Sequence, residues 1–315
     1  MHRPAAALAA ALTLLTGCGS SSAGGSADEG GDTRTVSHAL GSSEVPAEPG
    51  RIVPLDGIYT ADLLVLGLEP AGLGDQVAYQ LQPYAELAPE VADLAEVPTF
   101  GDPYEPNLEA LTALDPDLIV GDEFMADLYA DFSAIAPTVA VTYIGNGGWR
   151  ERFPDVAAAV GQEDAVEEID AEYQAELDAV PDAAREEVVA FVRADPDGSF
   201  RIDSLPTAFP GSVAEDAGIP TLEPTGVGEF DEGSGFLQLS AENIGVLAEA
   251  DRIVVGDNSF YDPALEDSLS VLERNPLWSQ VPAVQAGRVE QIPGPVYNGG
   301  NYLAARLLLR ELADG

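Results

Sequence analysis

Residues 107–121, NLEALTALDPDLIVG, carry the clearest indication of the fold. They predict a short helix with Glu109 in its first turn, then a turn, then an apolar strand that ends in glycine. Residues 240–256, SAENIGVLAEADRIVVG, repeat this pattern with Glu242 in the equivalent place. Short helices that alternate with apolar strands predict an α/β fold, because mostly parallel sheets need helices on both faces. The repeat therefore predicts two α/β lobes.

The region between the two patterns predicts how the lobes are joined. Apolar residues recur at spacings of three and four over residues 162–179, which is typical of an amphipathic helix. A length of 315 residues is also enough for about two domains. We therefore predict an N-terminal lobe, one long connecting helix and a C-terminal lobe at residues 35–157, 158–186 and 187–315, respectively.

The N-terminus has the features of an export signal. Arg3 precedes an apolar stretch over residues 5–15, which is too short for a stable membrane anchor. Residues 1–17 are therefore predicted to be a signal peptide. Cys18, the only cysteine of the chain, follows Leu-Thr-Gly and resembles the lipidated cysteine of bacterial lipoproteins. Residues 18–34 are rich in Gly and Ser and predict a flexible tether, which places the protein on the extracytoplasmic face of the cell membrane.

The charge balance excludes one class of partner. The chain has 55 Asp and Glu against 13 Lys and Arg, a formal net charge of −42, and every one of the positive residues is arginine. Such a chain is repelled by phosphate backbones, so nucleic-acid binding is excluded. Intrinsic disorder is disfavoured because 46% of the residues are hydrophobic and spread along the chain.

Several motifs resemble those of class III substrate-binding lipoproteins of ABC importers, particularly the iron-siderophore branch of the ferric-siderophore and vitamin B12 receptors. The resemblance extends over residues 35–312. The motifs are HALG at 38–41, PGRIVPLD at 49–56, PNLEAL at 106–111, LDPDLIV at 114–120, FPGSV at 209–213, AGIP at 217–220, NPLW at 275–278 and VPAVQAGRV at 281–289.

The resemblance implies a fold and a mode of action. It implies two lobes joined by a rigid helix, with a ligand cleft between them and only a small closing motion. It also implies that Glu109 and Glu242 dock on arginines of the membrane permease. A glutamate in the first turn of a helix also stabilises the helix by ~0.3–1 kcal/mol, so this residue type alone does not establish docking.

The ligand implied by the resemblance is a ferric siderophore. A ferric hydroxamate is favoured, because a triply anionic catecholate needs a basic cluster that only Arg150, Arg152 and Arg201 offer. Aromatic side chains and arginines in loops after strands are the candidate ligand contacts. They are Tyr59, Tyr104, Phe124, Trp149, Arg150, Arg201, Phe209, Tyr261 and Tyr297, of which Trp149 and Tyr297 are favoured because they lie in loops rich in Gly and Asn.

The alternatives are a cobalamin or haem receptor of the same fold, or a surface-tethered acidic protein that binds another protein. An enzyme is disfavoured because the sequence has no Gly-x-Ser-x-Gly elbow, no His-Glu-x-x-His and no phosphate-binding glycine loop. His2 is lost with the signal, which leaves His38 and disfavours a transition-metal site. We therefore predict no cofactor, iron bound only as its chelate, and a monomer.

Overall fold

The alternation of helices and strands predicted from the sequence is present in the computed structural model, which describes residues 32–260 and 266–314. The predicted signal peptide, Cys18 and Tyr261 lie outside the described residues. The strands are β1 Thr33–His38, β2 Gly41–Pro46, β3 Ile52–Pro54, β4 Gly101–Asp102, β5 Glu105–Pro106, β6 Leu118–Asp122, β7 Thr138–Val141, β8 Val189–Ala194, β9 Phe200–Asp203, β10 Phe236–Leu239, β11 Arg252–Asp257 and β12 Val289–Pro293.

The helices surround these strands. The α-helices are α1 Gly57–Val65, α2 Val77–Gln80, α3 Leu108–Ala113, α4 Tyr129–Ile135, α5 Trp149–Val160, α6 Val166–Asp178, α7 Phe209–Ala217, α8 Ser268–Glu273, α9 Pro282–Gln285, α10 Gly294–Tyr297 and α11 Tyr302–Asp314. The 3-10 helices are Gln82–Glu86, Pro89–Glu96, Glu123–Met125, Glu163–Ala165, Ala184–Glu186, Ala241–Glu249, Asn258–Phe260 and Trp278–Gln280. Within the described residues, no helix is both long and apolar enough to span a membrane.

The N-terminal lobe is built on a parallel sheet in the order β3-β6-β7. Its strands are short runs of apolar residues buried on both faces, as parallel strands between helices require. The hairpin β1-β2 lies beside β7, and Ser43 Oγ donates to the carbonyl oxygen of Thr138 at 2.7 Å. Because β1 begins at Thr33, the predicted tether extends two residues too far into the lobe.

The C-terminal lobe is built on one five-stranded sheet in the order β10-β9-β8-β11-β12. Strands β8, β11 and β12 run parallel, whereas β9 and β10 add to the β8 edge as antiparallel strands. Both lobes therefore have parallel strands at their centres, which confirms the predicted α/β architecture. In open sheets of this kind, ligands bind outside the carboxyl ends of the parallel strands.

The connection between the lobes differs in detail from the prediction. The helix predicted over residues 162–179 is present as α6, but it begins only at Val166. Gly161, with φ of 75°, ends α5 in a left-handed conformation, and the 3-10 turn Glu163–Ala165 follows it. The predicted start of the connector at residue 158 therefore lies inside α5.

One hydrophobic core runs through both lobes. It includes Leu73 and Tyr84 of the N-terminal lobe together with Phe191 and Leu308 of the C-terminal lobe, all buried. The C-terminal helix α11 packs against α1, α6 and α7, so it contacts both lobes and the connecting helix. Because a large rotation of one lobe would expose this shared apolar surface to water, the fold favours small lobe movements.

Candidate functional site

Two adjoining cavities lie at the carboxyl ends of β3, β6 and β7. Their volumes are about 350 and 290 Å³, and both are lined by Asp56, Tyr104, Asp122 and Phe124. The larger cavity is also lined by residues of the segment 295–301, which belongs to the C-terminal lobe. We call the two together the cleft cavity. Its size and position are those expected of a small-molecule site between α/β lobes.

Two carboxylates of the cleft cavity also begin helices. Asp56 caps α1, and its Oδ1 accepts a hydrogen bond from the Ile58 amide at 2.8 Å. Asp122 Oδ1 accepts a hydrogen bond from the Phe124 amide at 2.9 Å, and its Oδ2 accepts one from Tyr59 Oη at 3.1 Å. Burial raises the pKa of both carboxyls above the ordinary value, although these hydrogen bonds act in the opposite direction. Helix capping thus fixes two acidic groups at the cleft.

Aromatic side chains form much of the remaining wall. Tyr104 and Phe124 are 69% and 60% exposed, which is unusual for side chains of this size. The rings of Phe124 and Tyr143 are 5.3 Å apart and inclined by 54°. Tyr104 lines both cavities together with Asp56 and Asp122, and burial, followed by the fields of these two carboxylates, raises its pKa. The aromatic and acidic groups therefore face one common space.

The floor of the cleft cavity joins the two lobes. Tyr84 Oη donates to the carbonyl oxygen of Pro295 at 2.6 Å, and Asn146 Nδ2 donates to that of Asn298 at 3.2 Å. Gly299 lies where the backbone approaches most closely, since a Cβ there would be 2.2 Å from the Pro295 carbonyl oxygen. The cavity thus has a wall from each lobe and a hydrogen-bonded base between them.

A buried ion pair adjoins this base. The Arg152 guanidinium lies 3.2 Å from Asp62 Oδ2, and both side chains are almost fully buried. Arg152 also donates to the carbonyl oxygen of Gly300 at 2.6 Å, which links α5 to the C-terminal lobe. Burial raises the pKa of Asp62 to about 6, although Arg152 lowers it. Arg152 therefore has a carboxylate partner within the protein.

The family of the chain is shown by comparison with known proteins. Residues 52–296 match the model of the family described as periplasmic binding protein. The chain belongs to this family.

Similar proteins extend over nearly the whole of this periplasmic binding protein. It is 28% identical to the probable siderophore-binding lipoprotein YfiY of Bacillus subtilis (strain 168), over 96% of this chain and 94% of that protein. The siderophore periplasmic binding protein from the fuscachelin gene cluster of Thermobifida fusca has 26% identity and a TM-score of 0.67, covering 86% of this chain and 97% of that one. The petrobactin-binding protein YclQ of Bacillus subtilis has 22% identity and a TM-score of 0.71, and the match covers 90% of this chain and 98% of that one.

These comparisons confirm three predictions from the sequence. The resemblance to substrate-binding proteins is confirmed, as is the bilobed fold, which the structures of such proteins share. The relatives are named as binding proteins, so the prediction that the chain is not an enzyme is confirmed as well. Among residues 32–260 and 266–314, no group of three or more His, Cys, Asp or Glu side chains could hold a metal ion.

Three predicted ligand contacts do line the cleft cavity of this periplasmic binding protein. Tyr59, Tyr104 and Phe124 each follow the carboxyl end of a strand or lie in the β4-β5 turn, and the fold brings them together there. Tyr59 is nevertheless buried, with 2% of its surface exposed. Burial and the Asp122 carboxylate raise its pKa, so the hydroxyl keeps its proton and acts as a donor.

The structure places Trp149 and Phe209 outside the lining of the cleft cavity. Trp149 begins α5 instead of lying in a loop, and it is 1% exposed. Its Nε1 donates to Ser212 Oγ at 3.2 Å, and its ring meets Tyr302 edge-on with 4.7 Å between the ring centres. Phe209 begins α7 and is fully buried in the same core. The loop before Trp149 is rich in Gly and Asn because it passes close to the other lobe, so this composition does not indicate ligand contact.

Tyr297 is also a core residue, which corrects the second favoured contact. It is fully buried at the end of α10, and its ring packs directly on Gly256, where a Cβ would lie 2.5 Å from the ring. Its hydroxyl donates to Asp203 Oδ2 at 2.8 Å. Asp203 also accepts from Arg193 Nε at 3.0 Å. Tyr297 therefore helps to hold the Asp203 carboxylate that pairs with Arg193 inside the C-terminal lobe.

The three arginines that a catecholate ligand would require do not line the cleft cavity. Arg150 pairs with Asp216 at 2.9 Å beside a different cavity, and Arg201 of β9 lies 3.5 Å from Asp195. Arg152 is the buried partner of an aspartate, as described above. None of these arginines is among the described residues that line the cleft cavity. Each arginine is instead neutralised locally by a carboxylate.

Glu109 and Glu242 both lie on the surface, one on each lobe. Glu109 is exposed in the first turn of α3, as predicted, and Asn107 caps that helix. Glu242 is exposed in the first turn of residues 241–249, which form a 3-10 helix where an α-helix was predicted. It borders a mostly apolar cavity of about 660 Å³ that also includes the half-exposed Leu277. This cavity is remote from the carboxyl ends of β3, β6 and β7.

The sequence analysis missed the two carboxylates and Tyr143. Each had a detectable signal, because each stands at or within two residues of the carboxyl end of a parallel strand: Asp56 after β3, Asp122 at the end of β6 and Tyr143 after β7. In a parallel sheet such positions meet at one edge, which is where the cleft cavity is found. Polar residues at the carboxyl ends of parallel strands are therefore a better indication of the cleft cavity than aromatic residues in loops rich in Gly and Asn.

Proposed function

We propose that this periplasmic binding protein captures a ferric siderophore between its lobes and delivers it to the permease of an ABC importer. The observation that carries the proposal is the cleft cavity, which has walls from both lobes at the carboxyl ends of parallel strands. YfiY, a relative along nearly the whole chain, is named as a probable siderophore-binding lipoprotein, and the similar Thermobifida fusca protein as a siderophore-binding one. Iron is cargo here and arrives inside its chelator.

A hydroxamate chelate fits the charges better than a catecholate. A ferric tris-catecholate carries several negative charges and needs unpaired cations around it. The described lining of the cleft cavity offers the carboxylates Asp56 and Asp122, and the nearby Arg152 already has Asp62 as its partner. An uncharged or cationic hydroxamate avoids the repulsion and the desolvation cost that a catecholate would meet.

Docking to the permease is assigned to Glu109 and Glu242. Both are exposed, and they project from separate lobes, so a permease that binds both can sense the distance between the lobes. Arginines are the expected partners because guanidinium groups bind carboxylates through two parallel hydrogen bonds. The continuous core between the lobes limits the change in that distance, so we expect a small closing motion on ligand binding.

The protein is proposed to act as a monomer at the outer face of the cell membrane. Lipidation of Cys18 after removal of residues 1–17 would anchor it, and the residues that follow would act as the tether. Named lipoproteins among its relatives support this placement.

Titration of the intrinsic fluorescence tests the proposed ligand. The purified protein is titrated with a ferric trihydroxamate, a ferric tris-catecholate, haem and cobalamin, and Tyr104→Ala is compared with Leu277→Ala, at an exposed site that does not line the cleft cavity. We expect saturable quenching by the hydroxamate that is weakened in Tyr104→Ala and retained in Leu277→Ala. Saturation by haem or cobalamin alone would refute the siderophore assignment. No change in fluorescence with any of the four ligands would refute the proposal that the protein binds a ligand of these classes.

A further inference from the structure

We propose that the cleft cavity binds a protonated amine, so that the protein selects ferric hydroxamates that carry a positive charge. This inference rests on the proposed function, because it concerns the same cleft and names the class of chelate that the cleft prefers. It follows from the charge, the fixed geometry and the aromatic lining of the cavity.

The charge of the cavity is negative and is not balanced locally. Asp56 and Asp122 line both of its parts, Asp127 lines the smaller part, and no lysine or arginine is among its described lining residues. The closest guanidinium is that of Arg152, which is held by Asp62 and by the carbonyl oxygen of Gly300. An anionic group entering the cavity would therefore be repelled by these carboxylates, whereas a cation would be attracted by them.

The two carboxylates are fixed before any ligand binds. Each has one oxygen held by a backbone amide at the start of a helix, and Asp122 has its second oxygen held by Tyr59. No described residue donates a hydrogen bond to the second oxygen of Asp56, so it is available to accept one from an ammonium group. Preorganised acceptors of this kind lower the cost of ordering a site on binding.

The aromatic residues supply the rest of a cation site. Tyr104, Phe124 and Tyr143 line the larger cavity with the carboxylates, and an ammonium group is attracted to the face of such rings. Tyr104 and Phe124 are largely exposed, although burial would be the usual fate of these side chains. Rings and carboxylates around one space are a combination that recognises ammonium groups and gives little affinity for anions.

A matched pair of ligands tests the proposal. Ferrioxamine B is a linear ferric trihydroxamate that ends in a primary ammonium, and N-acetylation removes that charge while leaving the iron centre unchanged. We expect the purified protein to bind ferrioxamine B more tightly than its N-acetyl form by about tenfold or more at low salt. The difference should shrink as ionic strength rises, because the ammonium–carboxylate attraction is screened.

Isosteric variants assign the effect to the cavity. Asn retains helix capping, so Asp56→Asn and Asp122→Asn remove charge and preserve the local backbone. Each should reduce the preference for ferrioxamine B over its N-acetyl form severalfold. Asp155→Asn, at an exposed site on α5, is the control that removes the same charge elsewhere.

The outcomes separate this proposal from the proposed function. Equal affinity for the two chelates, or tighter binding of the N-acetyl form, would overturn the cation site while the siderophore assignment stands. A preference that persists in both asparagine variants would also overturn it. Failure of both chelates to bind would overturn the cation site and the hydroxamate assignment together.

Discussion

Replacing Arg152 by methionine tests how the base of the cleft is held. The Arg152 side chain is fully buried, and it donates both to Asp62 and to the carbonyl oxygen of Gly300. Methionine fills much of the same volume but removes the guanidinium. The variant therefore leaves a buried carboxylate without its cation and removes one link between α5 and the C-terminal lobe.

The expected loss of stability is large. Breaking a buried ion pair by removing one partner typically costs about 3–5 kcal/mol, because the remaining charge stays buried and unpaired. In a protein of this size, such a loss lowers the melting temperature by on the order of 10 °C. Even with Arg152 in place, Asp62 has a native pKa of about 6, against an ordinary value near 3.9. Ionisation of this carboxyl therefore destabilises the folded state by roughly 3 kcal/mol.

The pH dependence identifies Asp62 as the cause. Its native pKa is raised, so the folded state binds the proton more tightly than the unfolded state does, and this carboxyl favours folding increasingly as pH falls from above 6 toward 4. Without Arg152 the pKa rises further. The stability deficit of Arg152→Met relative to wild type is therefore expected to be largest above pH 7 and to shrink toward pH 5, as measured by denaturant unfolding.

A double variant provides the control. Asp62→Asn in the Arg152→Met background leaves no buried charge at this position, so it should recover most of the lost stability and remove the pH dependence of the deficit. A deficit that stays constant between pH 5 and pH 8, or a double variant no more stable than Arg152→Met, would refute the reasoning.

Further variants test residues whose roles the structure changes. Trp149→Phe removes core volume and the donor to Ser212, so we expect the free energy of unfolding to fall by about 1–3 kcal/mol and ligand affinity to stay unchanged. Lower ligand affinity at wild-type stability would instead make Trp149 a ligand contact. Gly299→Ala places a methyl against the Pro295 carbonyl, so thermal unfolding should show a loss of about 2 kcal/mol or more and titration a weaker ligand affinity; wild-type values in both would contradict the tight packing. Tyr297→Phe removes one donor to Asp203 and should cost about 1–2 kcal/mol in denaturant unfolding, and no loss would mean that the bond contributes nothing.

Local sequence signals were sufficient for most of the fold. The strand at 118–122 and the helix with Asn107 as its cap follow directly from apolar runs and capping residues, which act over a few residues. The 3-10 helix over residues 241–249 was predicted as an α-helix because the two share a similar apolar spacing. The break at Gly161 was missed although a glycine in the left-handed conformation is a common local end of a helix.

The candidate site was predicted less well because burial is decided by contacts between distant segments. Trp149 follows a loop rich in Gly and Asn, yet its neighbours Tyr173 and Tyr302 come from the connecting helix and the C-terminal helix. Nothing within a few residues of Trp149 indicates these contacts. By contrast, the acidic residues at the ends of β3 and β6 could have been located from topology alone, since parallel strands present their carboxyl ends at one edge.

Charge in this protein acts on two length scales. At physiological salt, the field of the exposed carboxylates is screened beyond a Debye length of about 8–10 Å. The net charge of the protein therefore cannot by itself decide which chelate binds. Inside the cleft cavity the separation from Asp56 and Asp122 is short and water is partly excluded, so the same sign of charge acts with much greater strength. Because Arg150, Arg152 and Arg201 are each paired with an aspartate, the proposed selection of a cationic ligand depends on these two capping carboxylates and the rings around them.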